Sequence, residues 1–131
     1  MQYFMYNKDE LSHNAENTSD VQMIGYGSGV MMRAETFHFV GVGAPLHSHY
    51  HEQITYCKSG KLQVINADGS MGKVLNPGDA VYFAPNEVHG VQVLEADSMV
   101  IDAFTPCRID HLITHMTGIK KFWGARDEED I

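Results

Sequence analysis

After an aromatic start at Tyr3-Phe4-Met5-Tyr6, the chain runs through Ser12-His13-Asn14-Ala15-Glu16-Asn17-Thr18-Ser19-Asp20 with no apolar period. Residues 1–20 are therefore read as an N-terminal arm or loop. From Val21 the pattern changes. Short apolar stretches alternate with turn residues roughly every 8–12 positions, the spacing of an all-β sandwich or barrel. The strands predicted are Val30–Val40, Gln53–Lys58, Leu62–Asn66, Gly72–Leu75, Ala80–Ala84, Gly90–Glu95 and Ser98–Phe104. Their joins are Lys58-Ser59-Gly60-Lys61, Ala67-Asp68-Gly69-Ser70, Asn76-Pro77-Gly78-Asp79 and Pro85-Asn86-Glu87. In these, glycine supplies φ > 0, proline fixes φ at about −65°, and Asn or Asp tolerates turn geometry. Short antiparallel strands without long helices suit a jelly roll, which closes its sheets around a cavity. The barrel is assigned to residues 21–110. Asp110 to Thr117 reads as a short helix, capped by Asp110 and ended by Gly118. It opens a C-terminal extension over residues 111–131. Phe122 and Trp123 are expected to pack on the barrel or a second subunit, and the end from Arg126 to Ile131 is acidic and expected to fray.

Composition narrows the partners. A chain of 131 residues is the size of one domain with a real core, and 44% apolar content is ordinary for a globular protein. The formal net charge of −8 argues against nucleic acid, whose phosphates need clustered Lys and Arg. It does not argue against a small anion, because one Arg in a pocket outweighs the global field at close range. No apolar run approaches the ~20 residues that span a bilayer. The start lacks a basic segment followed by an apolar one, so no signal peptide is expected. These readings place the protein in the cytoplasm, with no membrane partner. Cys57 and Cys107 are expected to be free thiols without a catalytic role. Cys57 shares strand parity with Gln53 and is a candidate to line the same cavity.

Four polar side chains carry the chemistry. His47 and His49 lie two apart, which on a strand aims both imidazoles at one point. Gln53 follows in the same run, and His89 comes later, after the turn Pro85-Asn86-Glu87. Together they are read as one divalent-metal site. First-row transition metals favour imidazole nitrogen with oxygen donors, and nickel, zinc, iron, manganese and copper all accept such a shell. Three imidazoles and an amide are neutral. They leave the ion its full charge and favour Lewis-acid work over oxygen chemistry. The competing reading is a His-rich surface hairpin, since the chain has eight histidines. His51 shares parity with His49 and Gln53, and a kink is expected to turn it outward, with Glu52 facing away. His111 and His115 stand four apart on the helix, where a solvated face is the expected reading. His13 and His38 carry no signal. Tyr56, Tyr82 and Phe83 are assigned to core or cavity lining.

The run Gly41 to His49, followed by Gln53 and Gly60, resembles the first cupin motif. Gly78-Asp79, Pro85 and His89 resemble the second. The resemblance implies a double-stranded β-helix with metal ligands at His47, His49, Gln53 and His89. Most enzymatic cupins carry Glu where this chain has Gln53. A narrower likeness lies in His49-Tyr50-His51-Glu52-Gln53-Ile54-Thr55-Tyr56 with Asp102-Ala103-Phe104-Thr105-Pro106-Cys107-Arg108-Ile109-Asp110. These strings are similar to the pectin-degradation (KdgF-type) cupins, which convert 4,5-unsaturated monouronates from pectate or alginate lyases to the linear keto form. The chain departs from them at Tyr50 and after Asp110. The likeness implies a small anionic sugar substrate, a homodimer and roles for three residues. Asp102 would move a proton, Phe104 would cover a sugar face, and Arg108 would fork onto the carboxylate. The competing reading is an Asp102–Arg108 ion pair tying the last strand to the barrel. Competing functions are an iron-dependent oxygenase or lyase on another small acid, and a sugar-acid-binding cupin without catalysis.

Overall fold

In the strand Glu52–Ser59 every second side chain is buried, with Gln53, Thr55 and Cys57 inside and Glu52, Ile54 and Tyr56 outside. The strand Ser98–Thr105 repeats this pattern, with Ser98, Val100, Asp102 and Phe104 inside. Such period-2 burial is the mark of strands with one face on a core. The structure, a computed structural model, describes residues 1–118. After a 3-10 turn at Lys8–Glu10 come β1 (Ser12–His13), β2 (Ser19–Tyr26), β3 (Met31–Phe37), β4 (Gly43–His47) and β5 (Glu52–Ser59). There follow β6 (Leu62–Ile65), β7 (Met71–Leu75), β8 (Ala80–Phe83), β9 (His89–Val93), β10 (Ser98–Thr105) and the helix α1 (Ile109–Gly118).

Two antiparallel sheets face each other. One has the order β1-β2-β3-β10-β5-β8 and the other β4-β9-β6-β7. This is the all-β jelly roll expected, with a short helix after the last strand. Phe37, Cys57, Leu62, Val64, Leu75, Phe83, Val93 and Val100 form the apolar core between the sheets. Burying a side chain of that size contributes roughly 1.5–3 kcal/mol. Such a core offsets the cost of the charged groups buried nearby. Gly60 closes the β5–β6 hairpin at φ +80°, in the left-handed region, and a Cβ there would collide with the Ser98 side chain.

The seven predicted strands are present, with ends shifted by up to three residues, the largest shift being Val30–Val40 against Met31–Phe37. Three strands were not predicted: β1, β2 and β4. Strand β2 begins at Ser19, inside the stretch read as an arm or loop. Its polar residues hide it, yet Ser19 is buried and donates its hydroxyl to Glu35 Oε2. The readings of Phe122, Trp123 and the acidic end fall outside the described residues. Among the described residues no helix is long and apolar enough to cross a membrane.

Candidate metal centre

The cavity wall is laid down by register. Arg33 on β3, Asp102 on β10 and Thr55 on β5 stand in one cross-strand row. In the next row Met31, Phe104, Gln53 and Phe83 stand side by side. Period 2 points all of them the same way. In the facing sheet, β4 pairs with β9 so closely that a Cβ on Gly43 would strike the Val91 carbonyl. The pairing then slips between Ala44 and His47, which sets His47 opposite His89.

His47 and His49 do not converge through the period of one strand. Strand β4 ends at His47, and His49 lies in the connection before β5. The turn brings the rings together, and the Asn86 N–H bonded to the His49 carbonyl (2.7 Å) ties this loop to the one leading into His89. One ring nitrogen each from His47, His49 and His89 lies within 4.8 Å of the others. Each Nδ1 is bonded to a backbone carbonyl: His47 to Pro45 (2.7 Å), His49 to His51 (3.1 Å) and His89 to Glu87 (2.8 Å). A carbonyl only accepts, so each Nδ1 carries the hydrogen and each Nε2 keeps its lone pair for a metal. Burial lowers the pKa of His49 and of His89, and Arg108 adds to the effect at His49. Both shifts favour neutral, ligating imidazoles. Phe83 stacks on His89 with ring centres 3.9 Å apart and holds it in place.

Gln53 presents a fourth candidate donor atom beside the three imidazoles. Its Nε2 donates to Thr55 Oγ1 (2.8 Å) and Asp102 Oδ1 (3.3 Å), which turns Oε1 toward the histidines. That oxygen lies 2.9 Å from His49 Nε2. With the His49 hydrogen on Nδ1, these are two lone-pair atoms side by side, an arrangement that repels unless a cation lies against both. His89 Nε2 is likewise buried without a hydrogen-bond partner. The donor set therefore fits a divalent transition metal.

Beside the histidines is a cavity of about 250 Å³, lined by His47, Gln53, His89, Asp102, Phe104 and Arg108, with Arg33, Glu35 and His111 along its wall. Asp102 is buried. Its Oδ1 accepts from Thr55 Oγ1 at 2.7 Å, and its Oδ2 lies 3.7 Å from Arg33 Nε. Phe104 is fully buried and meets the His49 ring edge-on at 5.9 Å. Arg108 carries its guanidinium 5.2 Å from the centre of the Phe104 ring and donates from Nε and Nη2 to Asp110. The competing Asp102–Arg108 ion pair is not what forms. The arginine of Asp102 is Arg33, and the carboxylate of Arg108 is Asp110.

Four other readings need correction. Tyr56 and Tyr82, assigned to core or cavity lining, stand exposed on the outer face of the six-stranded sheet, and of the three aromatics so assigned only Phe83 is buried. His51 is turned away from the cavity wall as expected, but it is buried against Tyr50 and His49 rather than facing outward. Cys57 shares Gln53's parity but lies farther along β5, where the apolar core has replaced the cavity. His111 is not on a solvated face. It packs edge-on against Phe104 at 5.4 Å, and burial, with repulsion from Arg33 and Arg108, pushes its pKa down to about 3. Sequence reasoning missed Arg33 and Glu35 altogether. Glu35 is buried, accepts from Arg33 Nη2 (3.0 Å), and has its carboxyl pKa pushed up by burial. A signal existed: both stand at inward parity in a strand whose other inward residues, Met31 and Phe37, are apolar.

Comparison with known proteins adds to this geometry. The Cupin domain family matches residues 36–104. The pectin degradation protein KdgF of Dickeya dadantii (strain 3937) is 35% identical over 91 residues, 70% of this chain and 81% of that protein. Among solved structures, KdgF from Halomonas sp. superposes with a TM-score of 0.74 at 28% identity, covering 85% of this chain and 98% of the other. An RmlC-like cupin from Shewanella frigidimarina NCIMB 400 gives 0.72 at 28% identity, with 85% and 96% covered.

Proposed function

Because the chain belongs to the cupin domain family, we propose that it is a metal-dependent enzyme that opens the ring of a 4,5-unsaturated monouronate, giving the linear keto form. One observation carries the reading. Two members of a three-histidine cluster, a neutral amide, a buried carboxylate and an arginine line one cavity of monosaccharide scale. The relative named for pectin degradation supports the choice of sugar acid over other small acids.

Bound at His47, His49, Gln53 and His89, a divalent transition metal supplies Lewis acidity toward sugar oxygens. The remaining work belongs to the side chains. Asp102 takes the proton from the C1 hydroxyl as the bond between C1 and the ring oxygen breaks. An aldehyde forms at C1 and an enol oxygen is left on C5. Asp102 then returns a proton to C4, and C5 becomes a ketone. No atom is gained or lost and nothing is oxidised. Phe104 covers one face of the ring, and Arg108 holds the negative end of the sugar. Thr55 and Gln53 fix Asp102 by occupying Oδ1, so that Oδ2 remains for the substrate. The assay is the fall in ultraviolet absorbance of the conjugated alkene, corrected for spontaneous opening. Oxygen uptake during turnover, or binding without any absorbance change, would overturn the reading.

A further inference from the structure

Four buried side-chain polar atoms lack a hydrogen-bond partner among the described residues. His89 Nε2 faces the metal position, and His51 Nδ1 lies off the cavity. The other two, Arg33 Nε and His111 Nδ1, belong to residues in the cavity wall. Buried polar atoms are nearly always paired, and a lone donor on a cation is costly.

We propose that Arg33 and His111 share the sugar's acid group with Arg108, forming a carboxylate subsite at the inner wall of the cavity. This rests on the uronate reading of the metal site and deepens it. Arg108 alone does not account for anion selection, because its Nε and Nη2 are already engaged by Asp110. Arg33 is differently placed. Its Nη2 holds Glu35, but Nε has only Asp102 Oδ2 at 3.7 Å, too far for a hydrogen bond. An arriving carboxylate supplies the missing acceptor through a charge-assisted bond. His111 adds a neutral imidazole beside it, since its pKa of about 3 leaves the ring uncharged under ordinary conditions. Both residues also line a second chamber of about 300 Å³ behind the wall, under β1 and α1. A carboxylate at this wall lies next to Asp102, the group assigned to move the proton.

The test is calorimetric binding to the metal-loaded protein, with glucuronate and its neutral amide, glucuronamide, as probes. Wild-type protein is expected to prefer the acid by at least about 10-fold. Arg33→Gln is expected to remove most of that preference, and Arg33→Lys to keep part of it. His111→Gln is expected to lower it about 3-fold and leave the helix intact. An unchanged preference in Arg33→Gln, or an equal loss for acid and amide, overturns the subsite. Retention in Arg33→Gln with complete loss in Arg108→Gln also overturns it. The two readings fail separately. A wild-type protein that prefers the acid yet never opens the unsaturated uronate keeps the subsite and loses the proposed reaction.

Discussion

Gln53 donates an amide hydrogen to Asp102 Oδ1 at 3.3 Å, so the metal-facing amide and the buried carboxylate are parts of one unit. The same amide nitrogen bonds Thr55, whose hydroxyl also bonds Asp102. Replacing Gln53 with Glu would keep a metal-binding oxygen but lose both donated hydrogen bonds. It would also set a like charge against Asp102 and reduce the ion's Lewis acidity. Gln53→Glu is therefore expected to retain metal, by elemental analysis, while ring opening falls roughly 10–100-fold, the usual worth of such supporting contacts. Unchanged turnover would show the neutral ligand to be incidental.

Metal content itself is the next measurement. Purified protein is expected to carry about one divalent transition metal per chain. The double variant His47→Ala, His49→Ala removes two of the three imidazoles that meet within 4.8 Å, and it should lose the ion. Full occupancy in that variant would move the site elsewhere.

Much of this arrangement was legible in the sequence, for identifiable reasons. Strands β5 and β10 alternate strictly, so the inward positions of Gln53, Asp102 and Phe104 could be read by counting. The convergence of His47 and His49 could be guessed, but its cause could not. Strand period suggested it, whereas a register slip and the turn after β4 produce it. The partners of the two arginines were opaque, because Arg33 meets Asp102 only through the pairing of strands far apart in the chain. His111 misled for a related reason. A helix of unknown placement shows no buried face until it is seen lying on Phe104.

His38 gives a pH test away from the cavity. Its ring lies 3.2 Å from Asp97 and 3.1 Å from Asp20, and hydrogen bonds to these two carboxylates raise its pKa above 6.5. A raised pKa means that the protonated ring favours the folded state. The contribution is complete below pH 6.5 and fades as pH climbs through the folded-state value. His38→Gln should thus lower the melting temperature at pH 5.5 and leave it nearly unchanged at pH 9. An equal loss at both pH values would show that the ring acts through packing.

The expected homodimer can also be probed. Ile54, Tyr56 and Tyr82 are exposed on the outer face of the six-stranded sheet, with Ile54 directly opposite Tyr82. Light scattering is expected to give twice the chain mass, and Ile54→Lys with Tyr56→Glu to give one chain mass with the fold retained. A wild-type monomer would remove the dimer from the account.

The central claim is that Asp102 moves the proton in a metal-dependent ring opening, and one variant tests it most directly. Asp102→Asn keeps an oxygen that can accept from Thr55 and Gln53, so the cavity wall should hold, as circular dichroism and melting can verify. On metal-loaded protein with 4,5-unsaturated galacturonate, kcat is expected to fall roughly 10²–10⁴-fold while KM changes little, the signature of a lost acid–base group. A folded, metal-bound Asp102→Asn protein that consumes the alkene at the wild-type rate would contradict the account.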